Sequence, residues 1–276
     1  MRLFNKAAIV GIGLIGGSIA LKLKQEKIAA QIIGVSRRKK TIALAKKRKA
    51  VDIGTQDLKA LRDADLIILS MPVNTIIAMA EKISKIARKD CIVTDVGSTK
   101  REIVSRLSRI FPNYVGSHPL AGSEKTGIEH ANPGMFINSL CILTPLKNTN
   151  PAALKKMEAL WKQLGAATTR LSPEKHDEIL SFTSHLPHVA AFALSQTVPA
   201  GYFPFGASGL KDTTRIAASD TKLWAEILLS NRNNMLKTIN LFIRQINRIK
   251  AAIKQGSLPK LTFLLRQAQE KRKSLK

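Results

Sequence analysis

Two kinds of residue in this 276-residue chain are spaced to do chemistry: glycines that let a phosphate approach the backbone, and hydroxyls and imidazoles that follow apolar runs. Gly11-Ile12-Gly13-Leu14-Ile15-Gly16 has the G-x-G-x-x-G spacing. In that spacing the first glycine permits a tight turn, the second admits a pyrophosphate, and the third lets a helix pack on a strand. Ser70-Met71-Pro72, Asp95-Val96-Gly97-Ser98 and His118-Pro119 each follow a β-branched run. An imidazole can take a proton near neutral pH and a neighbouring hydroxyl can fix its angle, which makes His118 and Ser98 candidates for proton transfer beside a cofactor. S-H-L-P-H sets His185 and His188 three apart, without the H-E-x-x-H, cysteine or carboxylate partners of a metal site. No metal is expected, and a packed polar pair at a helix kink is the alternative reading. In G-L-K-D-T-T-R-I-A-A-S-D, 209–220, Asp212 and Arg215 are also three apart. Arg215 can pair with Asp212 or hold a substrate carboxylate.

The elements that position these residues follow from periodicity. Apolar, β-branched runs at Ala7–Val10, Gln31–Val35, Asp65–Ser70, Cys91–Val96, Tyr114–Ser117, Leu140–Thr144 and Ala167–Leu171 read as strands. Helical patterns fall between them at Leu14–Glu26, Lys39–Lys49, Asn74–Ala87, Thr99–Ile110 and Pro151–Leu164. Thr99-x-x-Glu102 has the spacing of a capping box for the fourth of these. After Leu171 the pattern is helical to the end. Ser172-Pro173 reads as an N-cap with proline at the first helical position, opening a helix towards Val198 with a disturbance at Pro187. A Gly/Pro-rich connection covers 199–210, Leu223 to Lys254 reads as one long helix, and Leu258 to Lys276 as a last one. The fold class is therefore α/β: a Rossmann-type, parallel-sheet dinucleotide-binding domain over 1–171, followed by an all-α domain over 172–276. A helix of some thirty residues in so small a domain needs a partner for its apolar stripe, so a homodimer through the helical half is expected.

Lys and Arg outnumber Asp and Glu by 45 to 19, a net charge of +26. The densest basic run, 37–49, is not interleaved with aromatic residues, and a stacking platform for single-stranded nucleic acid is not visible. A basic surface suited to anionic small ligands is the preferred reading, with no nucleic-acid partner. At the end of the second strand, where an acid would read the ribose hydroxyls of NAD, the chain has Ser36-Arg37-Arg38. A hydroxyl and two guanidiniums favour a 2′-phosphate, hence NADP over NAD, with Thr41 on the following helix as a further cofactor-side residue; the alternative reading is that these arginines are a solvated face of the basic run. Cys91 and Cys141 lie in apolar runs without redox or metal spacing. Arg2 and Lys6 before an apolar run outline a signal peptide, but four glycines interrupt the run and no A-x-A-like site follows. No apolar stretch approaches the roughly 18 residues of a membrane span. A cytoplasmic, soluble protein is expected.

G-I-G-L-I-G-G-S, V-T-D-V-G-S-T-K, G-S-H-P-L-A-G-S-E-K-T-G, S-H-L-P-H and K-D-T-T-R-I-A-A-S-D, in that order, resemble the motifs of the prephenate and arogenate dehydrogenases of tyrosine biosynthesis. The resemblance runs from residue 7 to about residue 250. It implies oxidative decarboxylation of a cyclohexadienol to 4-hydroxyphenylpyruvate or tyrosine, with the C4 hydride passing to NADP or NAD. It further implies that His118 accepts the proton of the 4-hydroxyl, that Ser98 orients it, and that Arg215 holds a substrate carboxylate. By the same resemblance His188 lines the substrate pocket, with Ser123, Glu124, His176, His185 and Trp224 near it. Glu124 would favour an amine over a ketone on the substrate side chain, without deciding between the two dienols. Other two-domain oxidoreductases, of the β-hydroxyacid dehydrogenase or imine reductase type, would not need this set of residues together. A basic NADP-sensing or nucleic-acid-binding protein would need neither His118 nor Ser98.

Overall fold

The computed structural model describes residues 1–274. Eight strands form one sheet in the order β3-β2-β1-β4-β5-β6-β7-β8. They are β1 Phe4–Val10, β2 Ala29–Val35, β3 Ile53–Thr55, β4 Leu66–Leu69, β5 Ile92–Asp95, β6 Tyr114–Pro119, β7 Leu140–Thr144 and β8 Ala167–Arg170. All neighbours are parallel except β6 and β7. The wholly buried run of β4, Leu66-Ile67-Ile68-Leu69, shows why the central strands lack polar alternation: helices cover both faces. One face carries α1 Leu14–Gln25 and α5 Pro151–Leu164, the other α3 Val73–Ser84 and α4 Arg101–Ile110. The short edge strand β3 is absent from the sequence reading, because I-G-T is too brief to show a period. The remaining helix of this half is α2 Lys39–Lys47.

His118 and Pro119, expected after a strand, lie inside β6. The antiparallel partner extends the ladder that far, pairing His118 with Ile142 and Pro119 with Cys141. The expected capping box on α4 is not formed. The Thr99 hydroxyl bonds Ser230 at 3.0 Å, and the amides of Lys100 and Arg101 donate to the Asp177 carboxylate at 2.7 and 2.9 Å.

The helical part starts as the sequence indicates, with Ser172 Oγ accepting from the Lys175 amide at 3.1 Å and Pro173 opening α6 Pro173–Leu180. A π-helical turn, Ser181–His185, then leads into α7 Leu186–Thr197. The disturbance therefore takes the form of the π-helical turn that immediately precedes α7, in which Pro187 is the second residue. α8 Ser208–Thr214 and α9 Thr221–Ser230 follow, the latter capped by Asp220, which accepts from the Leu223 amide at 2.8 Å. The single helix expected over 223–254 is two, since the backbone leaves helical geometry at Asn231 before α10 Arg232–Lys254. Asn231 is buried, and its amide nitrogen donates to the Asp177 carbonyl oxygen at 2.7 Å. That tether outweighs continuation of the helix.

Two compact units result. The first is Met1–Asn231, and the second begins at Arg232 and contains α10 and α11 Leu258–Lys273. On α10, Leu236, Ile243, Ile246 and Ile253 are exposed at helical spacing. Among the described residues no helix is long and apolar enough to cross a membrane. Cys91 and Cys141 are free thiols in the core.

Candidate active site

The strand order reverses direction at β1, whose neighbours are β2 and β4, so a crevice opens beyond their carboxyl ends. Gly11, at the end of β1, has φ +95°, and a Cβ there would stand 2.2 Å from the Ser70 carbonyl oxygen at the end of β4. Only glycine permits that turn. A Cβ on Gly16 would stand 2.1 Å from the Gly11 carbonyl oxygen, so the third glycine is the close contact of helix on strand. A Cβ on Gly13 would meet no atom within 4 Å, so the backbone before α1 borders open space. No side chain caps α1, and no acid lies in its first turn. The amides at Leu14, Ile15 and Gly16 thus form a helix N-terminus suited to an anion. These features fit the pyrophosphate of a dinucleotide held against Gly11, Gly13 and Gly16.

Ile12 is buried beneath the loop, while Ser70 and Met71 are partly exposed and Pro72 caps α3. At the end of β2, Ser36 Oγ accepts from the Arg38 amide at 3.3 Å, and the side chains of Arg37 and Arg38 are exposed. Thr41 lies one turn into α2, partly buried. Arg48, from the same basic run, is committed to the fold, donating to the Ala131 carbonyl at 2.7 Å and to that of Ile128.

Asp95 does not face the crevice as a cofactor-side residue would. It is fully buried and accepts from the Tyr114 hydroxyl at 2.6 Å, the Gly97 amide at 2.8 Å and the ammonium of fully buried Lys100. This arrangement shapes the turn that presents Ser98, whose hydroxyl is partly exposed and makes no hydrogen bond to another described residue. Asp95 pairs in register with Gly116, so Ser98 and His118 leave the same edge on adjacent strands.

His118 Nδ1 lies 2.8 Å from His176 Nε2, and His176 Nδ1 lies 2.8 Å from Asp177 Oδ1. His176 therefore supports His118 from behind and, being fully buried, does not line a pocket. Burial would raise the Asp177 carboxyl, but His176 and the amides of Arg101 and Lys100 outweigh it and keep the group below the usual carboxylate range. Burial pushes His118 well below the usual histidine range, and the neighbouring His176, Lys100 and His185 act in the same direction. Burial also lowers His176, against the pull of Asp177. At neutral pH His118 is thus an uncharged imidazole, able to accept a proton.

His185 is buried too, with Nδ1 3.2 Å from the Asn231 amide nitrogen, and burial takes it down to about 4. Its ring meets Trp224 edge to face at 6.1 Å, whereas His188 stacks on Trp224 at 3.4 Å. The π-helical turn sets these two histidines at different depths against one indole. His188 Nδ1 contacts the Ser184 carbonyl at 3.0 Å, which requires a proton there and leaves Nε2 as an acceptor. Arg215 pairs with Glu124 at 3.2 Å and not with Asp212, which is exposed on α8. Ser123 Oγ accepts from the Lys125 amide at 3.2 Å in the exposed loop after β6. Among the described residues, no three His, Cys, Asp or Glu gather as a metal would need.

Asp177, Lys100, Tyr114 and Asn231 were not singled out by sequence reasoning. Only Asp177 had an available signal, its adjacency to His176 near the start of an N-capped helix.

A family model described as the nucleotide-binding domain of prephenate dehydrogenase matches residues 19–170, and one described as its dimerization domain matches 172–267. The prephenate dehydrogenase of Bacillus subtilis is 32% identical over 278 aligned positions, covering 97% of this chain and 75% of that protein. The cyclohexadienyl dehydrogenase of Zymomonas mobilis is 33% identical over 290, covering 100% and 98%. The crystal structure of Aquifex aeolicus prephenate dehydrogenase with hydroxyphenyl propionate and NAD+ superposes with a TM-score of 0.93 at 35% identity, covering 99% of this chain and 98% of that one.

Proposed function

From the premise that this chain belongs to the prephenate dehydrogenase family, we propose that it oxidatively decarboxylates prephenate, arogenate or both, in the formation of tyrosine. The observation that carries the reading is His118, an uncharged imidazole at the sheet edge where the Gly11 loop accommodates a dinucleotide. A nicotinamide dinucleotide held against Gly11, Gly13 and Gly16 would supply the acceptor for the hydride that leaves C4 of the dienol. His118 takes the proton of the 4-hydroxyl as the carbonyl forms, and Ser98 holds the hydroxyl and imidazole in line. Loss of the ring carboxylate as carbon dioxide leaves its electron pair in the new aromatic ring, which makes the step one-way. Arg215, loosely paired with Glu124 at an exposed position, exchanges that partner for a substrate carboxylate. His188 Nε2, fixed by the stack on Trp224, offers a further acceptor.

NADP is the preferred cofactor, supported by Arg37 and Arg38, which extend beyond β2 where no acid stands to repel a 2′-phosphate. Residues 1–171 serve the cofactor, and 172–276 serve substrate and dimerisation. The exposed apolar stripe of α10 supports a homodimer. A steady-state assay of prephenate or arogenate with NADP or NAD, following the reduced nicotinamide, tests the reading. Turnover of at least one dienol, with higher kcat/KM for NADP, is expected. No turnover in any of the four combinations overturns it.

A further inference from the structure

We propose that His176 and Asp177 are positioning residues that lock His118 in the tautomer with its proton on Nδ1, so that the lone pair on Nε2 faces the reaction. The lock is anchored at Asp177. Its carboxylate caps α4 through two backbone amides, at 2.7 and 2.9 Å, and those contacts hold it ionised and fixed in place. An ionised carboxylate only accepts, so the 2.8 Å contact with His176 Nδ1 places a proton on that nitrogen. His176 is uncharged, since burial holds it below the usual range, and its Nε2 therefore carries a lone pair. The 2.8 Å contact between His176 Nε2 and His118 Nδ1 needs one proton, which His118 must supply.

The lock runs from a helix cap to the catalytic base through two buried side chains, and it leaves a single nitrogen of His118 as acceptor. The other titratable groups around it do not compete for that proton. Lys100 is engaged by Asp95, and Tyr114 donates to the same carboxylate. Cys141, on the strand paired with β6, is held protonated by burial, and His185 is turned to Asn231. When Nε2 takes the substrate proton, the Nδ1 proton keeps its acceptor and the Asp177 charge faces the new cation through one imidazole.

The proposal rests on the dehydrogenase reading for its kinetic test but not for its spectroscopic one. Long-range ¹H–¹⁵N correlation of histidine-labelled free protein near neutral pH is expected to show the His118 proton on Nδ1. In His176→Leu, which removes the acceptor, the His118 proton is expected to lose its preference for Nδ1. His118 protonated on Nε2 in the unsubstituted protein, or an undiminished Nδ1 preference in His176→Leu, would overturn the proposal. Kinetically, His176→Leu is expected to lower kcat by about 100-fold or more with little change in KM, by analogy with the cost of a wrong tautomer at a catalytic histidine. His176→Gln, whose amide oxygen can accept from His118 while its nitrogen donates to Asp177, is expected to restore at least about ten-fold of that loss, within the usual span of general-base contributions. Equal kcat in the Leu and Gln variants contradicts the lock. If neither dienol is turned over at all, the functional reading fails while the tautomer measurement still decides this one.

Discussion

The proposed chemistry depends on keeping His118 uncharged in a setting that contains a buried ammonium, two buried carboxylates and two further buried histidines. Its substitution by Asn is expected to lower kcat/KM by about 10²–10⁴-fold, the range for removing a general base, with dinucleotide binding unchanged in a fluorescence titration. Retention of most activity would remove His118 from the mechanism. Arg215→Leu is expected to raise KM for the dienol by about ten-fold or more, the effect of losing one charge-assisted contact of roughly 1.5–3 kcal/mol. An unchanged KM would leave Arg215 as a surface partner of Glu124 only. That Ser98 and His118 share one sheet edge was legible in the sequence from the ends of the apolar runs, although the antiparallel β7 extends β6 through His118. Asp177 offered only its adjacency to His176, because its contacts with Lys100 and Arg101 span 77 and 76 residues and no local pattern encodes them.

At the scale of elements, the segment from α6 through the π-helical turn buries histidines that an unfolded chain would leave open to protonation. His185 sits at about 4, and His118 and His176 are also lowered by burial. Unfolded histidine titrates near 6.5, so below that pH the unfolded state binds more protons than the folded one. Stability is therefore full above about pH 6.5 and falls as the pH drops, with the His185 contribution, on the order of 3 kcal/mol, exhausted near its folded value of about 4. Urea denaturation at pH 7.5, 5.5 and 4.5 is expected to show a steadily falling midpoint, and a flat midpoint over that range would contradict the burial argument. The starts of α5 and α6 were legible because Asn150-Pro151 and Ser172-Pro173 carry their own caps. The break at Asn231 was not, since the apolar spacing of α9 continues into α10 and the contacts of Asn231 with Asp177 and His185 lie 54 and 46 residues away.

For the molecule as a whole, the order of strands was readable only as far as β-α-β alternation fixes it, which is the part that carries the cofactor crevice. The antiparallel β7 carried no periodicity of its own to distinguish it from a parallel strand. The NADP proposal assigns one part of the net charge of +26, the Arg37 and Arg38 side chains beyond β2, to a 2′-phosphate. Reversing both to Glu is expected to raise KM for NADP at least about ten-fold more than for NAD, since one such phosphate contact is worth roughly 1.5–3 kcal/mol, and equal effects would reduce them to surface charge. Ile243→Glu combined with Ile246→Glu, on the exposed stripe of α10, is expected to halve the mass seen by light scattering, and an unchanged mass would place the interface elsewhere.

The central claim, that proton loss at His118, hydride departure and decarboxylation belong to one reaction on a dienol, is tested most directly by stoichiometry. Prephenate or arogenate supplied with the oxidised dinucleotide is predicted to release carbon dioxide and reduced nicotinamide one for one, both slowed together in His118→Asn. Reduction without carbon dioxide, or carbon dioxide without reduction, would contradict the account.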